Sequence, residues 1–355
     1  MILLLYVDDI ILTGSSDDLM STFIQKLSAE FAMKQLGGLN YFLGIEDART
    51  DDSILSTQKK YILELLTKAN MLHCKPCNTP VVKEFRASIH DGILLDNPSE
   101  YKTIVGSLKY LTLTRPDIAY GVNCVSQFMH AHTDIHLLLV KRILRYLKGS
   151  LGLGLVLRKG DTSAITTFTD SDWAGCPDTR RSTSGYAVFM GNSLISWSSK
   201  KQPTVSRSSA EAEYESLSVV ASELEWLSNL FKELHISVTY PTTVNCDKTS
   251  AICLAFNPVF HAREKHIEVQ YHVVRDLVLS GFLKVQHVAS ESQLSNLFTK
   301  GLCFPAFSTL LQQLLGISPS QFSTVDDDAA AEVVPPVTED GVHFTGFASQ
   351  SSTVS

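Results

Sequence analysis

Along residues 1–72 short apolar runs alternate with polar turns. Runs at 2–6 and 10–12 flank Asp8-Asp9, and an amphipathic stretch at 19–31 reads as a helix. Gly37-Gly38 breaks that pattern before a short strand at 41–45, and a second helix is expected at 59–70. Pro76, Pro80 and the polar stretch 91–100 mark a looser connection. Helical periodicity returns at 101–149, interrupted at Thr114-Arg115-Pro116, because proline removes a helical donor and clashes with the preceding turn.

From residue 165 the period changes from helical to alternating. Strands are expected at 165–170, 185–190 and 194–198, followed by the clearest helix of the chain at 209–234. A fourth strand at 243–247, more helix, a fifth strand at 283–288 and terminal helices complete the order. Three strands, helix, strand, helix, strand, helix predicts an α+β fold with a mixed sheet. These shifts divide the chain into segments 1–75, 76–150, 160–316 and a tail at 317–355. The tail is rich in Ser, Pro, Asp and Ala and is expected to be disordered.

A length of 355 residues predicts two or three domains, and 44% hydrophobic with 19% charged residues is globular composition. No apolar run is long enough to span a bilayer, so no membrane partner is expected. A basic leader is absent and the seven cysteines are scattered. Both features predict a reduced intracellular protein of the cytoplasm or nucleus, not a secreted one. The net charge of −7 argues against a nucleic-acid binder until its distribution is considered. Residues 325–355 carry six acidic and no basic groups, leaving the remainder at −1. Local basic clusters can then dominate: Lys141, Arg142, Arg145 and Lys148 on one segment, and Lys200-Lys201 further on.

The first candidate chemistry is Asp8-Asp9, lifted to a hairpin tip by the strands on either side. Adjacent carboxylates repel unless a divalent cation lies beside them. Tyr6-Val7-Asp8-Asp9 resembles the YVDD motif of reverse transcriptases, and Gly38-Leu39-Asn40-Tyr41-Phe42-Leu43-Gly44-Ile45-Glu46 is similar to the palm segment after it in copia-type retrotransposons. Val105-Gly106-Ser107-Leu108, Thr114-Arg115-Pro116-Asp117-Ile118-Ala119-Tyr120 and residues 141–149 resemble the thumb and connection of that family. The resemblance runs from residue 1 to about 316 and implies a partial palm at 1–75 and a thumb or connection at 76–150. The family's polymerase needs a further aspartate from an earlier strand. Without it, Asp8 and Asp9 are expected to be the remnant of a truncated, inactive polymerase site.

The second set lies beyond residue 165. Asp170 shares a strand face with Phe168 and should leave the sheet on its packed side. Ser208 and Glu211 have capping-box spacing. Glu213 aligns with Leu217, Val220, Leu224, Leu227, Phe231 and Leu234, so a carboxylate stands at the inward end of an apolar stripe, while Glu215 is expected to be solvated. Asp247 ends a strand and doubles as a candidate N-cap. Carboxylates from two strand ends and one helix start suit a two-metal phosphodiester site.

Residues 169–175, 196–203, 208–214 and 257–266 resemble the ribonuclease H domain of copia-type elements. The resemblance implies a five-stranded mixed sheet flanked by helices at 160–316. It also implies Asp170, Glu213 and Asp247 as ligands of Mg2+, with Mn2+ as the substitute, and an RNA–DNA hybrid or duplex nucleic acid as the partner. At the fourth position Asn296 stands where the family has aspartate, and an amide offers one neutral oxygen in place of an anion. Cleavage in magnesium is therefore expected to be weak or absent, with rescue by manganese, and Glu291 sits at a different offset.

Two readings stay open: residual ribonuclease H activity, or a non-catalytic nucleic-acid-binding relic of a Pol protein. A third, recruitment of a partner by the tail, has only the tail's acidity behind it. The cluster His73, Cys74 and Cys77 lacks a second ligand pair and is read as incidental. His261, His266 and His272 read as solvated surface, and Trp173, Trp197 and Trp226 as packing residues.

Overall fold

Residues 1–83, 86–256, 268–317 and 343–346 are described by the computed structural model. The chain divides into two units, Met1–Arg49 with Asp326–Ser355, and Thr50–Val325.

In the first unit β1 (Ile2–Tyr6) and β2 (Asp9–Thr13) pair antiparallel, with Tyr6 opposite Asp9 and a two-residue turn at Val7-Asp8. Val7 adopts φ +48°, a left-handed conformation that a β-branched residue resists. Helix α1 (Asp17–Glu30) follows, capped by the Ser16 hydroxyl, which accepts from the Leu19 N–H. Its Met20 and Leu12 of β2 are the buried centre of this unit. β3 (Lys34–Gly38) and the small hairpin β4 (Tyr41–Phe42) and β5 (Ile45–Arg49) complete its first part. Residues His343–Gly346 form a strand parallel to both β2 and β3. The tail is expected to lack regular structure, and its described residues 343–346 pair as a strand because main-chain pairing requires only extended backbone.

The second unit opens with β6 (Ser53–Thr57) and four helices: α2 (Lys59–Lys68), α3 (Pro98–Leu111), α4 (Ala119–Ser126) and α5 (Asp134–Lys148). The expected break at Pro116 is a 3-10 turn, Pro116–Ile118. A strand that the sequence pattern did not suggest, β7 (Leu155–Arg158), pairs antiparallel with β6. Next come β8 (Ala164–Asp172), β9 (Thr183–Met190), β10 (Ser193–Lys201), α6 (Ser209–Glu233), β11 (Thr239–Cys246), α7 (Thr249–Phe256), α8 (Glu268–Leu279), β12 (Leu283–His287), α9 (Asn296–Thr299) and α10 (Phe304–Leu315).

The five-stranded sheet has the order β10-β9-β8-β11-β12. Its first three strands are antiparallel, and β11 runs parallel to both β8 and β12. This is the mixed α+β architecture implied by the sequence. The strands are longer than the apolar runs, because polar residues such as Asp172 and Thr183 continue the β8–β9 ladder.

Strand alternation explains how the sheet is covered on both faces. Tyr186 and Val188 of β9 pack beneath Leu217, Val220, Leu224 and Phe231 of α6. Ala187 and Phe189 turn the other way, into the core built by α3, α4, α5 and α10. With both faces buried, β9 reads as a continuous apolar run.

Candidate active site

Asp170 lies on β8, Asp247 directly follows its parallel neighbour β11, and Glu213 comes from the first turns of α6. The local sequence explains each placement. Ser208 caps α6 by accepting from the Glu211 N–H at 3.2 Å, while the Glu211 carboxylate accepts from the Arg207 N–H at 2.8 Å. The reciprocal bond of the capping box thus falls one residue before the cap. It fixes the start of α6 and with it the direction of Glu213. The helix is also tied to β8, since the Ser216 hydroxyl donates to the Asp170 carbonyl at 2.8 Å.

Asp170 is 1% exposed and points to the same side of β8 as Phe168. There it meets α9: the Thr299 hydroxyl donates to its Oδ2, and Lys300 Nζ lies 3.3 Å from Oδ1 and 3.2 Å from Oδ2. Gly185, directly opposite Asp170 in the β8–β9 ladder, makes this approach possible. A Cβ at Gly185 would lie 2.6 Å from the Phe298 Cβ and 2.8 Å from the Thr299 Cγ2. The loop before α9 is held by Gln293, whose amide donates to the Thr169 carbonyl at 2.9 Å.

Burial and the carboxylates of Asp170 and Asp247 push the Glu213 carboxyl up to about 9. Its Oε2 is buried with no hydrogen-bond partner among the described residues. Burial likewise raises Asp170, opposed by the Lys300 ammonium. Asp247 is half-buried and accepts from the Ser290 hydroxyl at 2.9 Å. Single ligand atoms of Glu213, Cys246 and Asp247 lie within 4.8 Å of one another. Burial pushes the Cys246 thiol up to about 12, so it stands among these carboxylates as a neutral group.

Three buried or half-buried carboxylates with one orphaned oxygen are costly in a low-dielectric site unless a cation compensates them. Lys300 supplies one positive charge, paired with Asp170 and close enough to act on Glu213 as well. The oxygen atoms of Glu213 and Asp247 suit a hard divalent ion such as Mg2+ or Mn2+, whereas Asp170, turned to Thr299 and Lys300, lies outside their close ligand group.

Comparison with known proteins bears on what such a site belongs to. A family model described as reverse transcriptase (RNA-dependent DNA polymerase) matches residues 1–83. The retrovirus-related Pol polyprotein from transposon RE1 of Arabidopsis thaliana is 46% identical over 312 residues, 88% of this chain and 21% of that protein. The Pol polyprotein from transposon TNT 1-94 of Nicotiana tabacum is 36% identical over 89% of this chain and 24% of its own length. The chain belongs to the copia-type retrotransposon Pol family. It spans about a fifth to a quarter of the length of these two relatives. The structure of LC11-RNase H1 in complex with an RNA/DNA hybrid aligns with 38% of this chain and 93% of its own, at 14% identity and a TM-score of 0.30.

Against the copia-type pattern, Asn296 is informative. It is 7% exposed; its Nδ2 donates to the Ser290 carbonyl at 2.9 Å and its Oδ1 accepts from Lys300 Nζ at 2.7 Å. An aspartate here would set an anionic oxygen against the Ser290 carbonyl in place of this bond. Lys300 thereby bridges Asp170 and Asn296. Sequence reasoning missed Lys300 and Thr299 as partners of Asp170, although Lys300 stands four residues after Asn296, the spacing of facing side chains on a helix. Glu291 is exposed on the 3-10 turn Ser290–Ser292.

Several expectations are corrected. Glu215 is not solvated but 6% exposed, because the segment after β10 folds over the start of α6 and the Thr204 hydroxyl donates to its carboxylate at 3.3 Å. Trp173 and Trp226 are not packing residues: they are 51% and 57% exposed. Trp226 lies off the buried stripe of α6, and Trp173 lies in the turn after β8, its indole N–H donating to the Ser206 carbonyl. Trp197 is partly buried against the helical core and donates to the Thr112 carbonyl at 3.2 Å.

The basic residues divide by role. Arg142 donates to the Thr79 hydroxyl at 2.7 Å and Arg145 to the Lys75 carbonyl at 2.7 Å, both pinning the connector to α5. Lys201 Nζ lies 3.0 Å from Gln127 Oε1 and 2.8 Å from Cys176 Sγ. Lys141 and Lys200 are exposed and Lys148 is half-buried. The Cys77 thiol donates to the carbonyls of Thr79 and Arg142. His261 and His266 lie outside the described residues. In the first unit Asp8 is exposed at the hairpin turn and Asp9 half-buried, and no third ligand side chain joins them among the described residues. None of the described helices is long and apolar enough to cross a membrane.

Proposed function

We propose that residues 160–316 form a ribonuclease H domain that cleaves the RNA strand of an RNA–DNA hybrid, with Asp170, Glu213 and Asp247 as ligands of Mg2+ or Mn2+. The observation that carries this reading is Glu213: a buried carboxyl with one unpartnered oxygen, facing two further carboxylates. When bound, the divalent ions would supply a nucleophilic hydroxide and neutralise the leaving 3′ oxygen. The chain's own residues do the positioning. Ser208 and Glu211 fix the helix that carries Glu213, and Ser216 locks it to the strand that carries Asp170. Thr299 and Lys300 hold the Asp170 carboxylate in one orientation. Among the candidate basic residues, exposed Lys141 and Lys200 and half-buried Lys148 are assigned to meet phosphates.

Residues 1–75 and 76–150 are assigned as palm and thumb or connection segments. No polymerisation is assigned to Asp8 and Asp9, since two exposed or half-exposed carboxylates hold a divalent ion weakly. The alternative, a non-catalytic nucleic-acid binder, is favoured by Asn296 and by the Lys300 bridge.

Cleavage of a labelled RNA–DNA hybrid separates the two. The wild-type chain is expected to cleave weakly in magnesium and faster in manganese. Asn296→Asp, which adds an anion beside Asp170 and competes for Lys300, should raise the magnesium rate by roughly tenfold or more. Binding of the hybrid without cleavage by either protein in either metal would favour the alternative.

A further inference from the structure

Cys246 has no place in magnesium-dependent hydrolysis, yet it stands inside the carboxylate group. It is fully buried at the last residue of β11, and its Sγ makes one long contact, 3.9 Å to the Lys248 carbonyl. Its sulfur, one Glu213 oxygen and one Asp247 oxygen lie within 4.8 Å of one another. Glu213 is 5% exposed, and its Oε2 has no partner among the described residues. An orphaned, buried acceptor beside a thiol and a second carboxylate is a three-ligand set.

We propose that Glu213, Cys246 and Asp247 form a mixed thiolate–carboxylate site for a soft divalent cation of the Zn2+ class, overlapping the hydrolytic site and silencing it. Hard ions discriminate against sulfur, so Mg2+ gains nothing from Cys246. Zn2+ and Cd2+ favour thiolate and accept carboxylate in tetrahedral sites with one position left to water. Zinc bonds of about 2.3 Å to sulfur and about 2.1 Å to oxygen place neighbouring ligand atoms roughly 3.5 Å apart. The observed ceiling of 4.8 Å closes to that by side-chain adjustment. On binding, the Sγ–H bond breaks, its proton passes to solvent, and the sulfur lone pair forms the bond to the metal. Glu213 and Asp247 are then committed to one ion and cannot serve hydrolysis. The silencing rests on the hydrolytic reading, whereas the metal site does not.

Cadmium is the probe, because thiolate coordination gives an ultraviolet charge-transfer absorption. The full chain is titrated with Cd2+, with Cys246→Ser and Glu213→Gln in parallel. Difference spectra against Cys246→Ser remove binding by the other six cysteines. One equivalent of Cys246-dependent absorption is expected, displaced by excess Mn2+. Glu213→Gln, which keeps every cysteine, should weaken it roughly tenfold or more. Zn2+ should inhibit hybrid cleavage by the wild type at concentrations roughly tenfold or more below those needed for Cys246→Ser. Identical absorption in wild type and Cys246→Ser overturns the proposal. If Cys246→Ser fails to fold, an unchanged cadmium affinity in Glu213→Gln overturns it instead. Hybrid cleavage without Cys246-dependent absorption refutes the soft-metal site and leaves the hydrolytic reading standing. Absorption displaced by Mn2+ in a chain that never cleaves hybrid supports the site and refutes that reading.

Discussion

Asp170→Asn is expected to reduce hybrid cleavage by roughly a thousandfold or more, because it removes the one carboxylate that faces both Glu213 and the Lys300 bridge. The shape of the side chain is kept, so the loss is one of charge. An asparagine at 170 still accepts from Thr299, but it gives Lys300 no anion and a divalent ion only a neutral oxygen. The fold should tolerate the change. Lys300 is 40% exposed and turns to water, and the buried carboxylate it leaves behind is gone, so stability should move by no more than about 1 kcal/mol. Cleavage rate and urea midpoint, measured on the same preparation, separate loss of the site from loss of the protein. A variant that folds and still cleaves at near wild-type rate would remove Asp170 from the site.

The largest effect on stability is expected far from that chemistry. Arg115 is fully buried between α3 and α4, and its guanidinium makes five bonds. It meets both Asp117 oxygens, at 2.9 and 3.3 Å from Nε and 2.7 Å from an NH2, and Ser150 at its carbonyl, 2.9 Å, and hydroxyl, 2.7 Å. The Tyr146 hydroxyl donates to Asp117 Oδ2 at 2.6 Å. This network ties the 3-10 turn to the end of α5. Arg115→Met leaves Asp117, 1% exposed, as a buried charge with one neutral donor, and should destabilise the second unit by about 3–5 kcal/mol. Arg115→Met with Asp117→Leu removes both charges and should recover much of that loss. If the single variant unfolds at the wild-type urea midpoint, the network contributes nothing and the argument fails.

These two residues also mark how far the sequence could be read. Glu213 was legible because a carboxylate on an apolar stripe violates the pattern around it. Asp170 and Asp247 were legible because each ends an apolar strand. The sheet itself followed from strands at regular spacing with one long amphipathic helix between them. Arg115 was read as part of a helix break and of the segment resembling the thumb or connection, but not as buried, since charged residues are rarely fully buried and nothing local announces that this one is. Lys300 and Thr299 lie about 130 positions from Asp170 in the sequence, and Gly185, whose missing side chain admits them, looked like the start of a strand. Glu215 was misjudged because its cover comes from the loop before the helix, not from the helix. Contacts between distant segments are set by how elements pack, and the sequence period carries no record of them.

The proposed binding of a divalent cation by Asp170, Glu213 and Asp247 can be followed by calorimetry as the pH dependence of Mn2+ affinity. In the metal-free chain Glu213 carries a proton up to about pH 9, and a cation must displace it. Affinity should therefore rise with pH, by up to roughly tenfold per unit, and level off near 9, with proton release detected as a buffer-dependent enthalpy. Glu213→Gln should abolish both the slope and the proton release. Affinity that is flat from about pH 6 to 8, or equal in wild type and Glu213→Gln, would contradict the account.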